Sequence, residues 1–180
     1  QLPHTQPWHL WCSASCGSGS STPCALILVL HGIYSNPSDM QWLTVGTGTA
    51  PAFDESPSYG GPFCAAYMKS LNAPWDYEGD GTDSNLIEAA IQHVETTRTL
   101  KQDSIHLHGF SSGSIMSGYL GCGRLGARIA SMVQYAGANK MNAACNWRQH
   151  VVVAHGTADD IVCYDFNNSF SRDAWGGCGG

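Results

Sequence analysis

The sequence predicts an α/β domain: a mostly parallel β-sheet with helices on both faces, stapled by disulfides. Three observations carry that expectation. Leu26–Leu30 is an unbroken apolar run without polar alternation, as expected of a strand buried on both faces. Further short apolar runs alternate with stretches of helical periodicity, the signature of strands linked by crossover helices. The sharpest Gly-containing motifs fall where those strands end, and in parallel sheets ligands sit beyond the carboxyl ends of the strands.

In chain order, residues 13–24 read as a Ser/Gly/Pro/Cys loop that precedes the first strand. Residues 34–62 are rich in Gly, Pro, Ser and Thr and read mostly as loop, with a short helix near Ser38 to Leu43. Leu86, Ile87, Ala90, Ile91 and Val94 recur at helical spacing, with Asp83 or Ser84 as the expected N-cap. Ser104–His108 is a strand, Ser112–Leu120 a helix, Met132–Tyr135 a third strand and Val151–Ala154 a fourth. No repeat and no linker divides the chain, so residues 1–180 are expected to form one domain.

Composition removes several function classes. Lys plus Arg total 8 against 14 Asp plus Glu, a net charge of −6, which repels phosphate and argues against a nucleic-acid partner or an anionic membrane surface. No apolar stretch approaches the roughly 18 residues needed to span a bilayer. The eight cysteines, Cys12, Cys16, Cys24, Cys64, Cys122, Cys145, Cys163 and Cys178, are an even set and read as a disulfide framework made in an oxidising compartment. Their pairing is open. Cys12 and Cys16 are close, but no second close pair and no well-placed His pair follows them, so a zinc site is not expected. Gln1 at the start, with no apolar leader, fits a processed secreted chain, and Asn167-Asn168-Ser169 is a glycosylation sequon.

Three strand ends carry chemistry. Gly109-Phe110-Ser111-Ser112-Gly113 matches G-x-S-x-G between a predicted strand and a predicted helix, the context of a nucleophile elbow. Ser111 is the expected nucleophile. His31-Gly32-Ile33 ends the first strand, and the N–H groups of Ile33 and Ser112 are the expected oxyanion donors. His31 itself is expected to brace that loop. His155-Gly156-Thr157-Ala158-Asp159-Asp160 ends the last apolar strand; Asp159 is preferred over Asp160 as the acid that orients a catalytic histidine.

Together these segments resemble the α/β-hydrolases, and more narrowly the secreted group of polyhydroxybutyrate depolymerases, feruloyl esterases and acetylxylan esterases. The resemblance rests on Leu26–Gly32, Ile105–Gly113 and the H-G-x-x-D-x-x-V of His155–Val162, and runs from about residue 10 to Trp175–Cys178. Cys163 stands where the group usually has Pro. The resemblance implies a secreted serine esterase acting on a small or polymeric carboxylic ester through an acyl-enzyme on Ser111, with no cofactor and no metal. It also implies a catalytic histidine downstream of the acid. None follows His155, so the chain is expected to be short at its C-terminus. The alternatives are a base from His4, His9 or a second chain, or a hydrolase-like scaffold that binds without catalysing. A peptidase on the same fold is a further rival. His106 and His108 alternate with Ile105 and Leu107 and read as core histidines. Trp42, Trp75 and Tyr77 follow strand ends; Trp75 and Trp42 are the expected substrate contacts, against the plainer reading that they cap the core. Oligomeric state and the natural ester are open at this level.

Overall fold

The computed structural model describes residues 7–45, 61–71, 73–76, 81–137, 149–159 and 161–162. The apolar run forms β2 (Cys24–Leu30), which lies inside a six-stranded sheet. In chain order the strands are β1 (Trp8–Cys12), β2, β3 (Phe63–Met68), β4 (Leu100–Phe110), β5 (Ile129–Tyr135) and β6 (His150–Ala154), arranged β1-β3-β2-β4-β5-β6. All neighbours are parallel except the β1–β3 pair. The helices are α1 (Pro37–Val45), α2 (Thr82–Thr97) and α3 (Ser112–Cys122).

Strand alternation sorts the core onto two faces. Leu26, Leu28 and Leu30 share one apolar cluster with Ile87, Ala90, Ile91 and Val94 of α2 and with Ile115, Met116 and Leu120 of α3. Val29, Ala65 and Tyr67 share a second with Met40 of α1. Each of the three leucines is fully buried, worth about 1.5–3 kcal/mol apiece. The predicted helices over 38–43, 85–98 and 112–120 and the strands over 26–30, 104–108, 132–135 and 151–154 are all present within a few residues of their expected bounds.

The structure corrects several expectations. α2 begins at Thr82 behind Gly81, whose φ of 80° caps the helix without a side-chain bond. Asp83 is therefore inside the first turn and turns its carboxylate elsewhere. β4 extends back to Leu100 through the exposed Lys101, Gln102 and Asp103, where only Leu100 pairs with Cys24 before the register shifts. β6 is an exposed edge rather than a buried strand: Val151, Val152 and Val153 are 47%, 59% and 52% exposed. β1 and β3 fall in segments that carried no strand expectation. β3 pairs on both sides and is wholly buried.

Two disulfides hold this end of the sheet. Cys12–Cys64 joins directly paired residues of β1 and β3, and Cys16–Cys24 closes the loop that enters β2. On a chain-entropy view the first, closing 52 residues, stabilises by on the order of 4 kcal/mol and the second by about 2.5 kcal/mol. Cys122 is also disulfide-bonded; Cys145, Cys163 and Cys178 lie outside the described residues. No described helix is long and apolar enough to cross a membrane.

Candidate active site

Ser111 sits at the junction of β4 and α3 with φ 53° and ψ −119°. A non-glycine residue there is strained by roughly 1–3 kcal/mol and persists only where its surroundings hold it. They do so on three sides. Ser111 N–H donates to Tyr135 O at 2.9 Å, and Ser111 O accepts from the N–H groups of Ser114 and Ile115 at 2.9 and 3.2 Å. The flanking glycines explain why G-x-S-x-G has its small residues. A Cβ on Gly109 would fall 2.3 Å from Gly113 O, and one on Gly113 would fall 2.3 Å from Leu30 O. β4, α3 and the end of β2 thus meet backbone to backbone. The Ser111 hydroxyl has no hydrogen-bond partner among the described residues.

Register places the other two loops beside the elbow. Leu30 pairs with Gly109, so the turn after β2 lies next to Ser111; a Cβ on Gly32 would approach Ser111 Cβ to 3.2 Å. No backbone hydrogen bond engages Ile33 N–H or Ser112 N–H among the described residues, and Ser112 is the first residue of α3, where the helix dipole favours negative charge. The loop after β6 is two strands from β4, about 10 Å across the sheet.

His31 is 5% exposed and braces the β2 turn. Its Nδ1 lies 2.7 Å from Gly32 O and its Nε2 accepts from Ser70 N–H at 3.2 Å. The neutral ring with its proton on Nδ1 satisfies both contacts. Burial pushes its pKa below the ordinary value, against the opposing pull of the Gly32 hydrogen bond. Asp159 is tied to its own loop. Its Oδ1 accepts from Ile161 and Val162 N–H at 3.0 and 2.9 Å, and its Oδ2 lies 3.3 Å from His155 Nε2, which also contacts Val162 O at 2.5 Å. Asp160 is outside the described residues.

No protein-family model and no curated protein matches the sequence. Solved structures do. Esterase PE8 superposes with a TM-score of 0.59 at 20% identity, over 87% of this chain and 77% of that one. A thermostable esterase superposes at 0.60 and 15% identity, covering 87% of this chain and 44% of its own. An acetyl xylan esterase from Aspergillus awamori gives 0.54 at 14% identity, with 73% and 47% covered. The chain spans less than half the length of the latter two.

The fold is that of the α/β-hydrolases. Within this hydrolase fold, the described part brings Ser111, Ser112 and Ile33 together and sets Asp159 two strands away. It does not bring the expected aromatics together. Trp75 is 2% exposed and its indole N–H donates to His31 O at 2.7 Å, so it is a core residue and not a substrate wall. The side chain of Trp42, in α1, and the whole of Tyr77 lie outside the described residues. The most exposed of the described aromatics is Tyr34, one residue past Ile33, 93% exposed with φ 62°. The only signal for it was its place beside the donor.

No described histidine bonds to Ser111. His106 Nδ1 lies 2.7 Å from Ser131 Oγ on β5. Burial lowers the pKa of both His106 and His108, with Lys101 adding to the effect at His106. His9, one of the alternative bases, is fixed in β1 opposite Tyr67. β1 is three strands from β4, about 14 Å away, so His9 is not positioned as a base. His4 lies outside the described residues. No group of three or more His, Cys, Asp or Glu among the described residues is placed to hold a metal. A cavity of about 460 Å³, lined in part by Lys101, Asp103 and Arg128, opens at the amino end of β4, away from Ser111.

Proposed function

We propose that the protein is a secreted serine esterase. The observation that carries the reading is Ser111 itself: a strained non-glycine residue at a strand-to-helix elbow, with its hydroxyl and the N–H groups of Ile33 and Ser112 unengaged among the described residues. Ser111 Oγ would attack the ester carbonyl and give up its proton to a general base that the described residues do not supply. The tetrahedral oxyanion would be held by the N–H groups of Ile33 and Ser112. The ester C–O bond then breaks, the alcohol leaves with the proton, and water hydrolyses the acyl-enzyme to release the acid and restore Ser111. Asp159 is the acid that orients the base, and no cofactor or metal takes part. The low charge of the chain suits a neutral ester of the polyester, feruloyl or acetyl class, and Tyr34 is the residue best exposed to meet it. Neighbours named as esterases and the disulfides support the esterase and secretion parts of this reading.

One observation favours a second reading, a hydrolase-like scaffold that binds without catalysing: Asp159 Oδ1 accepts two N–H groups of its own loop. Fluorophosphonate labelling of the natural-length protein, with its intact mass, separates the two. The esterase reading expects labelling at Ser111, its loss in Ser111→Ala, and turnover of an aryl ester in preference to a peptide amide. Absence of both labelling and turnover would sink it and leave the scaffold.

A further inference from the structure

Trp75 is 2% exposed, and it is built into the turn that would hold the oxyanion. Its indole N–H donates to the carbonyl of His31 at 2.7 Å, and its ring packs on the His31 ring at 5.0 Å and 45°. The same histidine accepts from Ser70 N–H, two residues past β3. The segment that carries Trp75 is itself pinned. The Asp83 carboxylate, 0% exposed, accepts from Leu71 N–H through Oδ1 and from Asp76 N–H through Oδ2, both at 2.8 Å. Asp76 returns the contact, accepting from Gly81 and Thr82 N–H at 3.0 and 3.1 Å at the start of α2.

On its other side the His31 carbonyl abuts Gly113, where a Cβ would fall 2.6 Å away. The carbonyl is therefore gripped between the Trp75 indole and the backbone of α3. Ile33 N–H is two residues further on. Releasing the His31 carbonyl lets the His31–Gly32–Ile33 backbone rotate, and the donor loses its aim at the carbon held by Ser111.

We propose that Trp75 is a positioning residue for the oxyanion hole, acting through the His31 carbonyl and anchored to α2 through Asp83. This rests on the esterase reading for its catalytic consequence, though not for the mechanical one. Trp75→Phe keeps an aromatic ring and removes only the N–H. The expected result is faster hydrogen exchange at the Ile33 and Tyr34 amides, with exchange in α2 unchanged. In p-nitrophenyl acetate hydrolysis, kcat should fall about tenfold or more, below the 10²–10³ of losing a donor outright, with KM within about twofold. Asp83→Asn weakens the anchor without touching His31 and should move exchange and kcat the same way by less. Unchanged exchange at Ile33 in both variants overturns the proposal. So does a uniform rise in exchange across the chain, which would make Trp75 merely a core residue. If the unaltered protein neither labels nor hydrolyses ester, the esterase reading fails on its own, and the exchange measurement still decides whether Trp75 holds the turn.

Discussion

Gly113→Ala tests whether the elbow is packed as tightly as the backbone geometry requires. The added Cβ would lie 2.3 Å from Leu30 O and 2.6 Å from both Leu30 C and His31 O. An ordinary carbon–oxygen contact needs about 3.4 Å, so the overlap is roughly 1 Å. None of the clashing atoms belongs to a flexible side chain, so relief comes only by moving α3 away from β2. Overpacking of this kind costs about 1–3 kcal/mol. At about 2–4 °C per kcal/mol for a chain of this size, the melting temperature should fall by about 2–12 °C. The catalytic effect should be larger. Ser111 and Ser112 move with α3 while Ile33 stays with β2, and a misplacement near 1 Å costs on the order of 10²-fold in rate. The assay pairs a thermal melt with aryl-ester turnover, using Gly17→Ala as control. Gly17 has φ −58° and its Cβ would meet only Ala14 O at 3.5 Å, so the control should be near neutral. A Gly113→Ala protein that melts and turns over like the unaltered one would refute the packing argument.

Two further predictions concern strain and protonation. Ser111→Gly relieves a residue held at φ 53° and should raise stability by on the order of 1 kcal/mol while abolishing fluorophosphonate labelling; an unchanged or lower melting temperature would show that the elbow is unstrained. His31 is buried and His106 and His108 are partly buried, all three with pKa values lowered from the ordinary 6.5, so the unfolded chain takes up protons first as the pH falls. Their contribution should be complete above about pH 6.5 and be lost as the pH falls below it toward the folded values. A melting series across this range should show the decline, and His108→Leu should flatten part of it; a melting temperature that holds or rises on acidification contradicts the burial of these rings.

The site was legible where chemistry and backbone demand coincide. The elbow at Ser111 needs glycines at 109 and 113 to let two backbones touch, and a strand and helix on either side; all of these are local and readable. The braced His31 was legible for the same reason, as a His-Gly turn ending an apolar run. Trp75 was misread because composition says only that an aromatic follows a strand. Whether its ring faces solvent or core depends on Asp83, eight residues on, pulling the Leu71 and Asp76 amides inward. Asp83 was itself read as a helix cap, which its residue type favours, and tertiary bonding overrode that preference.

Local periodicity and turn chemistry by themselves determined the fold class, the order of its central strands and helices, and the three strand ends that bear the candidate site. Those features depend on residues within a turn or two of one another. Tertiary structure alone decided the disulfide partners Cys12–Cys64 and Cys16–Cys24, the addition of β1 as an antiparallel edge, the exposure of β6 and the inward turn of Trp75. Each of these depends on which distant segment arrives beside it. A five-residue strand such as Trp8–Cys12 has no pattern that names its partner, and an apolar run such as Val151–Val153 reads the same at the centre of a sheet as at its rim.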